Sequence, residues 1–506
     1  MKVETSTMRR AAQQPDNSGT PRTGQRLRDI LAIDERERLI EFAQTWPGRL
    51  AAIALAILLA TVLSGHPDAW WQQLPQTLLV CGGAAACAYL PKYRSVVVLI
   101  ASYAVLVSAP WWFPLDGIRA VMLQEHVDGA FIQLLVYVAL GVFILGAWLA
   151  LAFARRQKTS LIARRPVVVL LSTVTVLGLL ADLPMMHGMP RVWLWSFLTV
   201  FTPYIWFLSY ALVDLRSRDC SPPLFQLGIF HPFWGSTTVP WGKGAAFLRK
   251  TQSKTNRELA ITQIKALKLL FWAIFLGGLK TGLAWLVLSR MRMPDLSSVQ
   301  SAYFNHHPFP VLVSWSALIM DKVLVTLSMA MHGHKIIALA RLAGFRLPRN
   351  MRRPLEARTL AEFWNRYYYY FKELLVEFFF VPTFLRTFRK HPRLRMFFST
   401  FMAAGVGNAI FHFLSDFRLV ATLGWSSAVE TFTSYLFYCA VLATGIGISQ
   451  VRTSSGANPP TTRLGKLLAF LWVWTFVICL NVFGNETRVY SLDQRLSFMA
   501  SVMGIN

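Results

Sequence analysis

FWNRYYYYFKELLVEFFFVP, Phe363 to Pro382, is an aromatic segment held between two strongly basic stretches. His334–Arg358 precedes it and RTFRKHPRLR, Arg386–Arg395, follows it. Lys and Arg gather in the cytoplasmic loops of membrane proteins, so both flanks belong on that side. The segment Ala361–Phe384 therefore enters and leaves by the same face, as a re-entrant or interfacial helix shielded by protein. Further along, GNAIFHFLSDF, Gly407–Phe417, holds a lone histidine in an apolar run. An imidazole at membrane depth is costly unless it faces protein or a water-filled cavity, which makes His412 a functional candidate.

Composition puts both segments in a bilayer. Hydrophobic residues make up 54% of the 506, mean hydropathy is +0.42, and several uncharged runs reach the roughly 20 residues that a crossing needs. The chain reads as an all-α polytopic membrane protein of about 11 spanning helices plus the re-entrant segment, with its N-terminus inside and its C-terminus outside. The expected spans begin at Gly48–Ser64, Leu74–Leu90 and Val96–Trp112. They continue through Ala130–Ala154, Pro166–Leu183, Val192–Val213, Leu267–Leu288 and Val311–Met331. Met396–Leu414, Ser427–Ile448 and Leu467–Phe483 complete them. Residues 1–47 form a cytoplasmic tail, disordered to about residue 25 and then an interfacial helix over Leu27–Trp46. Residues 48–506 form one integral membrane domain, with its motif region at 361–416.

The net charge of +26 is concentrated in loops of one side, which fits contact with anionic lipid and argues against nucleic acid. The five cysteines show no CxxC spacing, and neither His306-His307 nor His332 with His334 has a third ligand within reach in the sequence, so no metal site is expected. HPFWGSTTVPWGKG, His231–Gly244, suits a structured interfacial or re-entrant loop, or an ordinary aromatic anchor with turns. Three charges fall inside expected spans: Lys280, Asp321 and Lys322. Such groups either pair within the bundle or line a polar path.

The aromatic segment and the histidine together resemble the membrane-bound O-acyltransferase family, in its bacterial polysaccharide-modifying branch. Phe363, Trp364 and Arg366 keep the opening of that motif, Glu377 stands where its acid stands, and Pro382 closes it. Tyr367, Tyr368 and Val376 replace the family's Trp, His and Arg, and Phe411 and Phe413 flank His412 in place of Trp and Gly. The resemblance implies a divergent bacterial inner-membrane enzyme that moves an acyl group from a thioester donor, acyl-CoA or an acyl carrier protein, to a hydroxyl on a lipid, glycan or secreted metabolite. No cofactor beyond that co-substrate is implied.

Acyl transfer to a hydroxyl needs a base for the alcohol proton and donors for the tetrahedral oxyanion, and a neutral imidazole suits the first task near pH 7. His412 is that base. Asn408 lies one helical turn before it, on the same face, and Asp416 one turn after it is the better placed to fix the tautomer. Asn365, Tyr368, Tyr369 and Lys372 fall at i, i+3, i+4 and i+7, one stripe of a single helix, suited to lining an acyl tunnel or to interfacial packing. Arg366 and Lys372 suit the phosphates of a donor, a role that the positive-inside bias explains equally well. The competing reading is a transporter or channel with a polar path through Lys280, Asp321 and Lys322.

Overall fold

Long apolar runs can satisfy their peptide groups in lipid only as helices. The computed structural model describes residues 32–64, 70–108, 115–217, 220–221, 223–235, 239–456, 460–484 and 489–505. It is 80% helix, with no strand among the described residues. Eight of the described helices are long and apolar enough to cross a membrane. A ninth crossing results if Leu74–Tyr89 and Pro91–Val107, bent by 111°, are one broken span. The chain is an integral membrane protein of the polytopic helical class. The expected tail to residue 25 lies outside the described residues.

Helix α1 (Glu37–Gln44) precedes the first long helix, α2 (Trp46–Ser64). Then come α3 (Ile132–Arg156), the shorter α4 (Pro166–Ala181) and α5 (Met189–Asp214). In α5, 78% of the most apolar window is buried inside the protein, which marks it as the centre of the bundle rather than a lipid-facing wall. Helices α6 (Asn256–Ala284) and α7 (Val311–Leu342) form the most extensively packed pair. Helix α7 runs beyond the expected end at Met331, because Ile337, Ala338 and Ala340 are wholly buried and extend its packed face. His332 and His334 therefore lie within this helix and not at its end.

Near the N-terminus, α1 rests on the first turns of α6. Ile40 and Ala43 pack with Ala260 and Ile264, and Arg257 pairs with Glu37. Burial would raise the Asp34 carboxyl, but a 2.7 Å hydrogen bond and the charge of Lys268 hold it below the ordinary carboxylate range.

The aromatic segment folds as α8 (Leu360–Tyr367) and α9 (Tyr369–Leu375), a π-helical stretch Val376–Phe380, and a last turn, Val381–Arg386. Helix α10 (Pro392–Phe401) then passes through a second π-helical stretch, Met402–Gly407, into α11 (Asn408–Ser415). Two further long helices, α12 (Thr433–Ser454) and α13 (Arg463–Asn481), pack beside them.

The start of the segment, and α10 that follows it, meet one stretch of α12. The Ala361 amide donates to Ser449 Oγ at 3.1 Å, Thr400 of α10 donates to Gln450, and Phe397 packs against Gly447. Ala361 and α10 therefore lie at one level of the bundle. Between them Phe371 reaches the ring of His412, which packs on Tyr435 near the opposite end of α12. Tyr435 and Ser449 stand roughly 20 Å apart along that helix.

Candidate functional site

The histidine sits where the two π-helical stretches face each other. Single π-turns displace the following side chains around the helix and recur at functional sites. Here they also bring the backbones close. A methyl group on Gly407 would lie 2.6 Å from Phe379 Cδ2 and 3.1 Å from Leu375 Cδ2, so only glycine fits the contact as it stands. One turn on, the His412 ring packs among aromatic side chains. Its centroid lies 4.7 Å from Tyr435, 5.3 Å from Phe411 and 5.8 Å from Phe371 of the aromatic segment.

Asn408 is 2% exposed and accepts a 3.4 Å hydrogen bond from the Tyr435 hydroxyl. Tyr435 therefore touches both Asn408 and His412. In sequence it is one tyrosine in a long apolar helix, with nothing to set it apart. Asp416 follows the end of α11, where its amide donates to the His412 carbonyl at 3.2 Å.

The expected stripe on one continuous helix is corrected by the structure. The helix breaks at Tyr368 (φ −143°, ψ 85°), between α8 and α9. The amides freed by the break are taken up by Asn350. Its carbonyl accepts from Tyr369 N at 2.8 Å and its side-chain oxygen from Tyr370 N at 3.4 Å. Asn365, Tyr369 and Lys372 still share a wall of one large crevice, while Tyr368 turns towards Trp241 and Phe371.

That crevice has a volume of about 3960 Å³. One face of α6 (Trp272, Leu276, Leu279, Leu283) and one face of α7 (Trp315, Ile319, Val323, Thr326) form a largely apolar wall. Parts of α12 and α13, including Val441, Ile448 and Phe470, form the other. Charged groups from the 348–358 loop, α8 and α9 crowd one end. His412, Asn408, Tyr368 and Glu377 are not among the residues lining it, nor is Phe371, on which the His412 ring packs.

Glu377, the acid matched by motif spacing, is on the first π-helical stretch with its side chain exposed. Of the two acids at this end of the aromatic segment, the one that lines the crevice is Glu373. It binds Lys243 at 2.6 Å and Lys372 at 2.8 Å, and Lys372 also lies 5.3 Å from the Tyr369 ring centre. Lys243 belongs to the His231–Gly244 loop, whose described residues are mostly buried and whose Trp241 packs 5.0 Å from Tyr370. This loop supports the aromatic segment from behind and is not a surface anchor. Arg366 is matched by Glu362 at 2.6 Å and Glu356 at 3.2 Å.

Glu373→Gln removes the negative charge that lies between two half-buried lysines, which then repel each other. The expected cost is about 2 kcal/mol, below the full penalty for breaking a buried pair because all three groups retain some solvent contact. Thermal unfolding of the detergent-solubilised protein measures it. A Glu373→Gln protein as stable as the unsubstituted one would show that the three charges are already solvated.

The three charges within the spans are engaged inside the bundle. Asn481 donates to Asp321 at 2.6 Å and accepts from Lys322 at 3.3 Å, and Lys322 stands 5.2 Å from the centre of the Tyr367 ring. Lys280 donates to Ser328 at 3.4 Å. No family model matches the chain, and no curated protein matches it.

Proposed function

We propose that the chain is an O-acyltransferase of the bacterial inner membrane, similar to the membrane-bound O-acyltransferases, with a cytoplasmic N-terminus and a thioester donor. The observation that carries this reading is the meeting of Phe371 and His412, which brings the aromatic segment and the histidine helix together across facing π-turns. In the proposed reaction His412 takes the proton of an acceptor hydroxyl as its oxygen attacks the thioester carbonyl. The tetrahedral oxyanion collapses, the C–S bond breaks, and the imidazolium returns the proton to the leaving thiolate. Tyr435, whose hydroxyl donates to Asn408, packs on the ring, and Asp416 is proposed to set its tautomer. The acceptor is a lipid, a glycan or a secreted metabolite. Isotope-labelled thioester incubated with purified protein and an envelope extract tests the class, since a labelled ester identifies both reaction and acceptor. No label transfer from either acyl-CoA or acyl carrier protein would reject it.

About 11 crossings follow if the two arms of the bent pair and the shorter Pro166–Ala181 each span, added to the eight long helices. On this topology Arg358→Cys and Lys390→Cys are both labelled only from the cytoplasm by a membrane-impermeant thiol reagent. Labelling from opposite sides would make the aromatic segment a true span. The transporter reading is weaker, because Asp321, Lys322 and Lys280 are each held by a polar side chain within the bundle.

A further inference from the structure

The crevice has two features that a tunnel for a water-soluble donor does not need. First, it is open to the side. Leu279, Ile319, Ile448 and Trp472, drawn from all four long helices around it, line the crevice and are also 41%, 45%, 51% and 64% exposed. On a membrane-embedded surface such side chains face hydrocarbon, so the crevice communicates with the bilayer. From Trp315 to His334 its wall follows α7 for about 28 Å, close to the hydrocarbon thickness and longer than one leaflet.

Second, its charged end carries cations beyond those that its own carboxylates neutralise. Lys268, Arg353, Arg366 and Lys372 are ion-paired. Arg349, Arg352, Arg358, Arg452 and Lys466 also line the crevice, and the structure records no ion pair for them among the described residues. The ends of α7 and α12 and the start of α13 bring these five to the same mouth. Guanidinium forks match phosphate oxygens, and a phosphate at the membrane surface is what such a cluster attracts.

We infer that the crevice is a binding site for an anionic phospholipid that enters sideways from the bilayer, its phosphate at the Arg349, Arg352 and Arg358 mouth and a hydrocarbon chain along α7 and α13. The site stands independently of acyl transfer. It extends that reading by supplying a membrane-derived ligand beside the aromatic segment.

The test is lipid binding by the purified full chain, delipidated in detergent and titrated with phosphatidylglycerol or phosphatidylcholine of the same chains, with bound lipid read by native mass spectrometry. Phosphatidylglycerol is expected to bind about tenfold or more tighter. Combined Arg349→Gln, Arg352→Gln and Arg358→Gln should erase that preference, while Arg155→Gln with Arg156→Gln, at a basic helix end that does not line the crevice, should keep it. Val323→Trp, which fills the apolar part, should weaken both lipids. Should that variant fail to fold, the surface arginine set alone decides the matter. Equal binding of the two lipids, a preference that survives the triple substitution, or displacement of phosphatidylglycerol by an equimolar long-chain acyl-CoA would overturn the inference. No thioester takes part in the direct titration, so its result and that of the acyl-transfer assay fail separately.

Discussion

His412→Ala is expected to lower acyl transfer by about 100-fold or more while the protein inserts and folds as before, the range for losing a positioned base. The ring is partly exposed and touches its aromatic neighbours edge-on or tilted, so its removal leaves those packed faces largely in place. Tyr435→Phe should cost less, since it deletes one hydroxyl that holds Asn408 and leaves the ring on which His412 rests. Tyr368→Phe should also cost less than His412→Ala. A phenol with an ordinary pKa near 10 is a poor base, and this one is turned into the aromatic cluster of Trp241 and Phe371. The measurement is turnover of labelled thioester at equal expression. Undiminished turnover in His412→Ala rejects the assignment, and a larger loss in Tyr368→Phe moves the reactive centre onto the aromatic segment.

The helical membrane class and most spans were legible because hydropathy is a local property, summed over one run at a time. Charge on either side of the aromatic segment points to a chain that goes in and out by one face, and thiol labelling at positions 358 and 390 tests that course. What stayed hidden is made by partners distant in sequence. The break at Tyr368 depends on Asn350, which takes over the freed amides, and periodicity within the segment carries no trace of it. Motif spacing pointed to Glu377, whereas Glu373 lines the crevice and one of its two lysine partners, Lys243, comes from a loop that precedes it by two long helices. Tyr435 is an unremarked residue of an apolar helix until packing sets it beside His412. The crevice itself is the space left among four helices, and no single segment encodes it.

Gly407→Ala is expected to lower stability and to reduce transfer by up to about 100-fold, because it acts on the junction that places the histidine. The added methyl would sit 2.6 Å from Phe379 Cδ2 and 2.8 Å from Cγ. Phe379 is only 9% exposed and its ring lies 6.0 Å from that of Trp206, so it has little room to withdraw. Overpacking of this kind costs about 1–3 kcal/mol, which outweighs the gain of up to about 1 kcal/mol that alanine brings to a helix interior. The strain relaxes by moving the two π-helical stretches apart, and α11 carries His412 with it. A displacement of about 1 Å at a reacting group is enough for a loss near 100-fold. Gly82→Ala is the matched control, since nothing lies within 4 Å of its added methyl, and it should be neutral or slightly stabilising. Thermal unfolding and labelled-thioester turnover, measured on both variants, separate the cases. If Gly407→Ala keeps the unfolding temperature and the turnover of the unsubstituted protein, the contact between the two π-helical stretches does not position His412.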